Sequence, residues 1–532
     1  MSVRRRPILR LLMSLLLLAF PATAIAQTVE HDVIIIGAGA AGLYAAFELD
    51  LMGFDVLILE GRPRHGGRLR HEVTLGTTSI DEIAEGVTGS NNWHYDDIVA
   101  LDPNRLVEIL TETSSANRLY SVNGSTVLAT DVTRRNDPEI YDYWDFNYDV
   151  YSYNGPDIDL ETHLCNTRGA HTNQYMCRGS HAGFHLFVHG FPSGEYTGKL
   201  EDMGTRSYVE EGNLWTLGSG EYAFATSTWL DTLEELYFNP ILSKITYRAD
   251  VVAVDASGAN VSVTAKNCGN CHDSHYPDGS PPGSHAGFDP EPLSTHIAQV
   301  ALVTVPLGVL KNDDIAFTPF LSATKQNAID GLGFGTGGKL FLRFSSRVWP
   351  ATTTNFMTEG GYCGWAWDQS YKGGDGDKIV ICYSVAELAE NLDALPDDNA
   401  RIAAALSDLD GMYSGTPFTD AFVEGYWKRM DDMRHSRGTY SYPTVGSYPT
   451  DGSPSLREDL AAPEGNVYFA GEATSNNHPS TVIGAMESGL RAAGEIDAAI
   501  EPVPEPSFFI MVLAGGGCVL ALARLRGVPL VP

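Results

Sequence analysis

Asp32-Val33-Ile34-Ile35-Ile36 runs straight into Gly37-Ala38-Gly39-Ala40-Ala41-Gly42, and no other stretch limits what this chain can fold into so tightly. An apolar run of strand length without alternation reads as a strand buried on both faces. The segment after it is helix-like as far as Met52 and stops at Gly53; Asp55 to Leu59 then predicts a second strand, ending at Glu60. The order is that of a β-α-β unit in a parallel sheet, and each glycine of the G-x-G-x-x-G turn has a job. Gly37 makes the tight turn, Gly39 admits a pyrophosphate, and Gly42 lets helix and strand pack closely, while Ala41 sits in the first helical turn with its N–H toward the phosphates. Glu60, with Gly61 and Arg62 behind it, falls where an acid can accept hydrogen bonds from ribose hydroxyls. These residues predict an α/β fold around a dinucleotide.

The rest of the chain is large enough to surround such a unit. Its 532 residues are 43% hydrophobic, which excludes disorder, collagen-like repetition and a disulfide-dense mini-protein. A formal charge of −32 repels phosphate backbones, so nucleic acid is excluded as an expected partner and a small cation is favoured.

Both ends carry apolar runs too short for an ordinary membrane span. Arg4, Arg5, Arg6 and Arg10 precede Leu11 to Phe20, and Ala24-Ile25-Ala26 follows, the pattern of an export signal over residues 1–26 with Gln27 as the first mature residue. Residues 503–532 begin Val503-Pro504-Glu505-Pro506, continue uncharged from Phe508 to Ala523, and end beside Arg524 and Arg526. This resembles the PEP-CTERM sorting signal of Gram-negative bacteria. It implies processing by an exosortase, transient membrane association through that segment, and delivery to the cell surface or extracellular matrix, or a periplasmic or anchored protein if the signal stays uncut.

Gly66-Gly67-Arg68 follows closely on the second strand and is similar to the pattern of two-dinucleotide-binding flavoproteins, in which Arg68 would approach the phosphates; FAD is favoured over NAD. Far along the chain, Asn466-Val467-Tyr468-Phe469-Ala470-Gly471-Glu472-Ala473-Thr474 reads as a strand entering a glycine turn with an acid, and Thr481-Val482-Ile483-Gly484-Ala485 opens a helix. Here the chain resembles the flavin-containing amine oxidases, the superfamily of monoamine oxidases, polyamine oxidases, L-amino-acid oxidases and flavin histone demethylases.

The resemblance implies a Rossmann-like FAD domain (27–100, 220–312 and 427–500) interleaved with an α+β substrate domain (101–219 and 313–426) containing a mixed sheet. It places Val251 beside the adenine, Glu472, Val482 and Ala485 around the flavin, and Lys339 on a water near flavin N5. Tyr440 takes one side of the aromatic cage. Thr481 stands where monoamine oxidases carry the second tyrosine, and Ser480-Thr481-Val482 is instead similar to polyamine oxidases and histone demethylases. Thr439 stands where some monoamine oxidases have the cysteine that bonds to the flavin, so FAD is expected to be noncovalent. The implied chemistry is oxidation of an amine C–N bond by hydride transfer to the flavin, with O2 reduced to hydrogen peroxide and no metal. An L-amino-acid oxidase, and a surface-displayed flavoprotein without oxidase turnover, are the alternatives.

Some segments depart from the pattern. Asp131 to Tyr222 is long, acidic and rich in Gly and Tyr, and Glu85 is an unusual acid in the flavin-flanking turn. Cys268-Gly269-Asn270-Cys271-His272 lies in an inserted loop, 266–294, and reads as a local disulfide at a hairpin tip, with c-type haem attachment or a Cys/His metal site as alternatives. In an exported protein, proximity favours Cys165 with Cys177 and Cys363 with Cys382.

Overall fold

The structure is a computed structural model. It describes residues 30–502 apart from 70, 82–83, 85, 111–117, 123–124, 129–148, 168–195, 218–220, 225–226, 268–291, 351–352, 354, 359–360, 370–376, 413–416 and 432. The export and sorting segments, Glu85, Cys177 and the Cys268-to-His272 motif lie outside the described residues.

The strand His31–Ile36, helix Ala40–Met52 and strand Val56–Glu60 form as the sequence predicts. Gly53 closes the helix in the left-handed region at φ 96°, which glycine adopts without a side-chain clash. These strands pair in parallel, Val33 beside Val56, and Leu293–Val303 lies in parallel on the other side of His31–Ile36. The eight-stranded sheet is completed by Ile245–Tyr247, Ala249–Asp255, Val261–Asn267, Ala316–Thr318 and Val467–Phe469. Parts distant in sequence thus meet in one sheet: Val467–Phe469 runs parallel to Ala301–Val303, which brings the C-terminal glycine turn beside the N-terminal one.

Helices cover this sheet. Ala40–Met52 crosses Val482–Ala499 so closely that a Cβ on Gly489 would fall 2.4 Å from the Ala41 carbonyl. One apolar core lies under that crossing, including Val33, Ile35, Leu43, Ile58 and Ile483; a second on the opposite face includes Ile34, Ile36, Val263 and Ile329. Alternate residues of the first strand divide between them, which is why it shows no polar face.

The second sheet has seven strands, in the order Phe422–Arg429, Gly337–Phe344, Lys378–Val385, Trp365–Asp368, Asn355–Met357, Arg118–Val122 and Ser125–Leu128. All neighbours are antiparallel except Asn355–Met357 with Arg118–Val122, so the sheet is mixed. One face carries Leu340, Leu342, Val380, Cys382 and Ala366 into a core with Leu406 and Leu409 of the helix Asp398–Met412. Cys363 and Cys382 are disulfide-bonded there, and Cys165 is also disulfide-bonded. Among the described residues no helix is long and apolar enough to cross a membrane, and no cluster of His, Cys, Asp and Glu could hold a metal.

Candidate functional site

The carboxyl ends of His31–Ile36 and Val56–Glu60 open onto a groove of about 1230 Å³ of empty space, part of it continuous with solvent. Its floor is the glycine turn. Gly37 stands at φ +107°, and a Cβ on Gly42 would lie 2.1 Å from the Gly37 carbonyl, so turn and helix touch directly. At Gly39 a Cβ would meet nothing within 4 Å, because that position faces the open groove. No side chain caps the helix at Gly39, leaving its first-turn N–H groups available to an anion.

Glu60 is buried at the end of its strand, where its carboxylate accepts from the backbone N–H of Ala38 at 2.8 Å and of Arg62 at 2.9 Å. The acid therefore shapes the glycine turn, and the two bonds use half of a carboxylate's accepting capacity. Gly66 donates to the Ala38 carbonyl at 2.8 Å and Gly67 rests on Gly39, so the Gly-Gly-Arg turn folds back over the first. Arg62 reaches the Gly67 carbonyl at 3.4 Å.

Arg68 stands at the junction of the two halves of the groove. It lines the groove but donates to the Thr439 carbonyl at 2.6 Å and to Glu472 at 3.1 Å, tying the N-terminal turn to two C-terminal segments. Glu472, 4% exposed, also accepts from the hydroxyl of Ser441 at 2.6 Å and the N–H of Ser480 at 3.1 Å. Arg457 joins this knot through Ser441 at 2.7 Å and Glu211 at 2.7 Å. Burial works against its charge, but the Glu211 carboxylate outweighs it and holds the guanidinium protonated. Gly471, at φ +131°, lines the groove and donates to Ser488 at 2.8 Å.

Thr481 caps the helix Val482–Ala499, accepting from Gly484 at 2.9 Å; Thr481, Val482 and Ala485 all line the groove. At the far end lie Gly61, Val251 and Asp250, the last paired with Arg434 and 3.3 Å from His435. Burial alone would raise the Asp250 carboxyl; the His435 hydrogen bond and the Arg434 charge outweigh it and hold it below the ordinary range. Asp250, Arg434 and His435 were not legible as site residues, because Arg434-His435 sits in no motif and comes to the groove only through folding.

Of the sequence-selected residues, Gly42 lies beneath the groove and Lys339 outside its wall. Lys339 is 3% exposed on the second sheet, 5.4 Å over the Trp367 ring. Tyr440 connects the two regions: it lines the groove, and its hydroxyl is 2.7 Å from that of Tyr383 in the strand beside Lys339. Thr439 is fully buried with its hydroxyl 2.5 Å from that of Thr197.

An elongated groove with an uncapped helix at one end, an open glycine and a buried acid fits a dinucleotide. The family model for flavin containing amine oxidoreductases matches residues 40–497, spanning both halves of the groove and the second sheet. The chain belongs to this family. FAD is accordingly the cofactor of the flavin amine oxidoreductase groove, and the fold is that of the family's FAD-binding enzymes.

Lysine-specific histone demethylase 1 homolog 1 of Arabidopsis thaliana is 29% identical over 87% of this chain and 52% of its own length. Polyamine oxidase 2 of the same plant is 34% identical over 37% of this chain and 39% of its own. The chain therefore spans about half or less of the length of these curated relatives. Among solved structures, wild-type putrescine oxidase bound to putrescine superposes with a TM-score of 0.65 over 88% of this chain and 99% of that one, at 16% identity. A mutant of the same enzyme reaches 0.68.

Proposed function

We propose that this protein is an exported amine oxidase that deaminates a primary or secondary amine, a polyamine or monoamine, and releases hydrogen peroxide. The observation that carries this reading is the position of Tyr440, on the wall of the dinucleotide groove and in hydrogen-bond contact with the sheet face that bears Lys339. Bound there, FAD would supply the two-electron redox chemistry that links loss of hydride from the amine's α carbon to reduction of O2 to hydrogen peroxide. Glu60, the glycine turn, Val251 and the N-terminus of Val482–Ala499 would hold it.

The chain's own groups account for the rest. Buried aromatic surface around Tyr440 excludes water and disfavours an ammonium, so the amine binds neutral, with its lone pair available to the developing imine. Lys339 is buried among rings, where its charge acts at low dielectric; it would hold a water and favour the negative charge that builds up as oxygen is reduced. Water then hydrolyses the released imine to a carbonyl compound and ammonia or a shorter amine. Thr439 has no sulfur to offer the flavin, which supports noncovalent FAD. An amino-acid oxidase would need a cation for the substrate carboxylate, whereas Arg68 and Arg437 flank Tyr440 already engaged with Glu472 and Asp314. Export is supported by the basic and apolar start with its small-residue site, and by a buried disulfide, which persists in oxidising compartments.

The test is the visible spectrum of the purified protein while amines and L-amino acids are added without oxygen, then peroxide formation with it. Bleaching by an amine, followed by stoichiometric peroxide, is expected. A bound flavin that no amine bleaches would refute the oxidase.

A further inference from the structure

Among the described residues that line the groove, Tyr440 is the one tyrosine, and Thr481 contributes a small side chain. A second ring stands elsewhere. In the second sheet, Lys339 is directly opposite Tyr383, and Tyr383 is directly opposite Trp365. Residues opposite one another in antiparallel strands share a face, so all three point away from the helix-covered core holding Leu340, Cys382 and Ala366. Two residues along the same strand, Trp367 shares that face.

The rings are contiguous. Tyr383 lies 6.1 Å from Trp365 and 5.8 Å from Trp367, centroid to centroid, and the two tryptophans are 5.6 Å apart. Met430 and Met433 pack beside them. Tyr383 is 7% exposed, and its hydroxyl meets that of Tyr440 at 2.7 Å. A run of contacting rings thus leads from Tyr440 in the groove through buried Tyr383 to the half-buried Trp365 and Trp367, joined at its start by a phenol–phenol hydrogen bond.

We propose that Tyr383 is a positioning residue for the amine: its hydroxyl fixes the tilt of Tyr440, and its ring carries the substrate wall from the groove along the sheet. This wall selects an extended alkyl amine over a compact aryl amine. The proposal rests on the amine oxidase reading and adds its substrate class. An alkyl chain laid on such a surface gains with each methylene withdrawn from water, about fourfold in affinity per group, whereas a compact aryl amine reaches only Tyr440.

The experiment uses the full flavin-loaded protein with unbranched primary alkylamines of increasing length and with benzylamine, following flavin bleaching without oxygen. The variants are Tyr383→Phe, Tyr440→Phe and the double variant; each keeps its rings, and flavin content at purification shows that it has folded. For the wild type, kcat/KM should rise with chain length by up to about fourfold per methylene and exceed that for benzylamine. Each single variant should lose about fivefold, the worth of one hydrogen bond, through the bleaching rate at saturating amine. The double variant should lose no more than either single one, because both remove the same bond. Losses that multiply in the double variant, or a wild-type preference for benzylamine, overturn this proposal alone. A wild type that no amine bleaches overturns it together with the oxidase reading.

Discussion

Lys339 presents an ammonium to a face of aromatic rings from a strand that is buried at every position but Arg343. Lys339→Met keeps the stem and the packing but removes the charge, so the two half-reactions should separate. Bleaching by amine should stay within about twofold of wild type, while reoxidation by O2 slows about a hundredfold, the scale of losing one preorganised electrostatic group. Stopped-flow mixing of the reduced enzyme with oxygen measures it, and equal slowing of both halves would place Lys339 in amine binding instead. Gly42 is a residue of the opposite kind, defined by contact. Its missing Cβ would sit 2.1 Å from the Gly37 carbonyl and 2.7 Å from the Thr304 hydroxyl. Backbone cannot yield there, so Gly42→Ala should cost about 3 kcal/mol and displace the turn that carries Gly39. Flavin titration should show the loss of affinity even where urea unfolding still reports a folded chain.

Elements meet at the site through buried charge. Arg457, on the helix Leu456–Ala461, and Glu211, on the helix Thr205–Asn213, are both fully buried and 2.7 Å apart. Arg457→Met leaves the buried Glu211 carboxylate without its cation, with the Tyr448 hydroxyl still donating to it, and should destabilise the protein by about 3–5 kcal/mol. Adding Glu211→Gln should recover much of that in urea unfolding, since no charge is then left unpaired. Another joint responds to pH. Asp431, just past the strand Phe422–Arg429, accepts from the N–H of Gly337 at 3.1 Å, where the lysine strand begins, and burial raises its carboxyl from 3.8 to about 6. A carboxyl raised on folding binds its proton more tightly in the native state. Its stabilisation is complete below pH 3.8 and is lost as pH rises through about 6, a span of roughly 3 kcal/mol. Asp431→Asn should remove that slope from a pH series of unfolding midpoints. None of these joints was legible in the sequence, whereas the glycine turn was, because its strand, turn, helix and acid are consecutive and each leaves a local mark. Ile379 to Val385 shows the limit: both faces of that strand are buried, so Tyr383 ends the apolar run Ile379 to Tyr383 with no alternation to show which way it points.

Over the whole molecule, the charge of −32 was read from composition, but folding decides where it acts. Around the groove, three of the four lining acids sit beside a base, Glu472 with Arg68, Asp250 with Arg434 and Asp314 with Arg437, while Glu60 is held by backbone N–H groups. Most of the excess acid therefore lies outside the groove lining, and the field of the whole chain acts on a substrate before it is bound. A cationic alkylamine approaching from solution is drawn in, whereas a zwitterionic amino acid carries no net charge for the field to act on. Salt shortens the reach of the field, from about 30 Å at 0.01 M to about 3 Å at 1 M. If the substrate is an amine, kcat/KM should fall about tenfold across that range, through KM, while kcat holds because Lys339 and Tyr383, both buried, lie beyond the reach of mobile ions. An amino-acid substrate should show a flat profile. The same titration on wild type and Lys339→Met separates the long-range field from the local charge: the salt slope should be common to both, and only the oxygen half-reaction should differ.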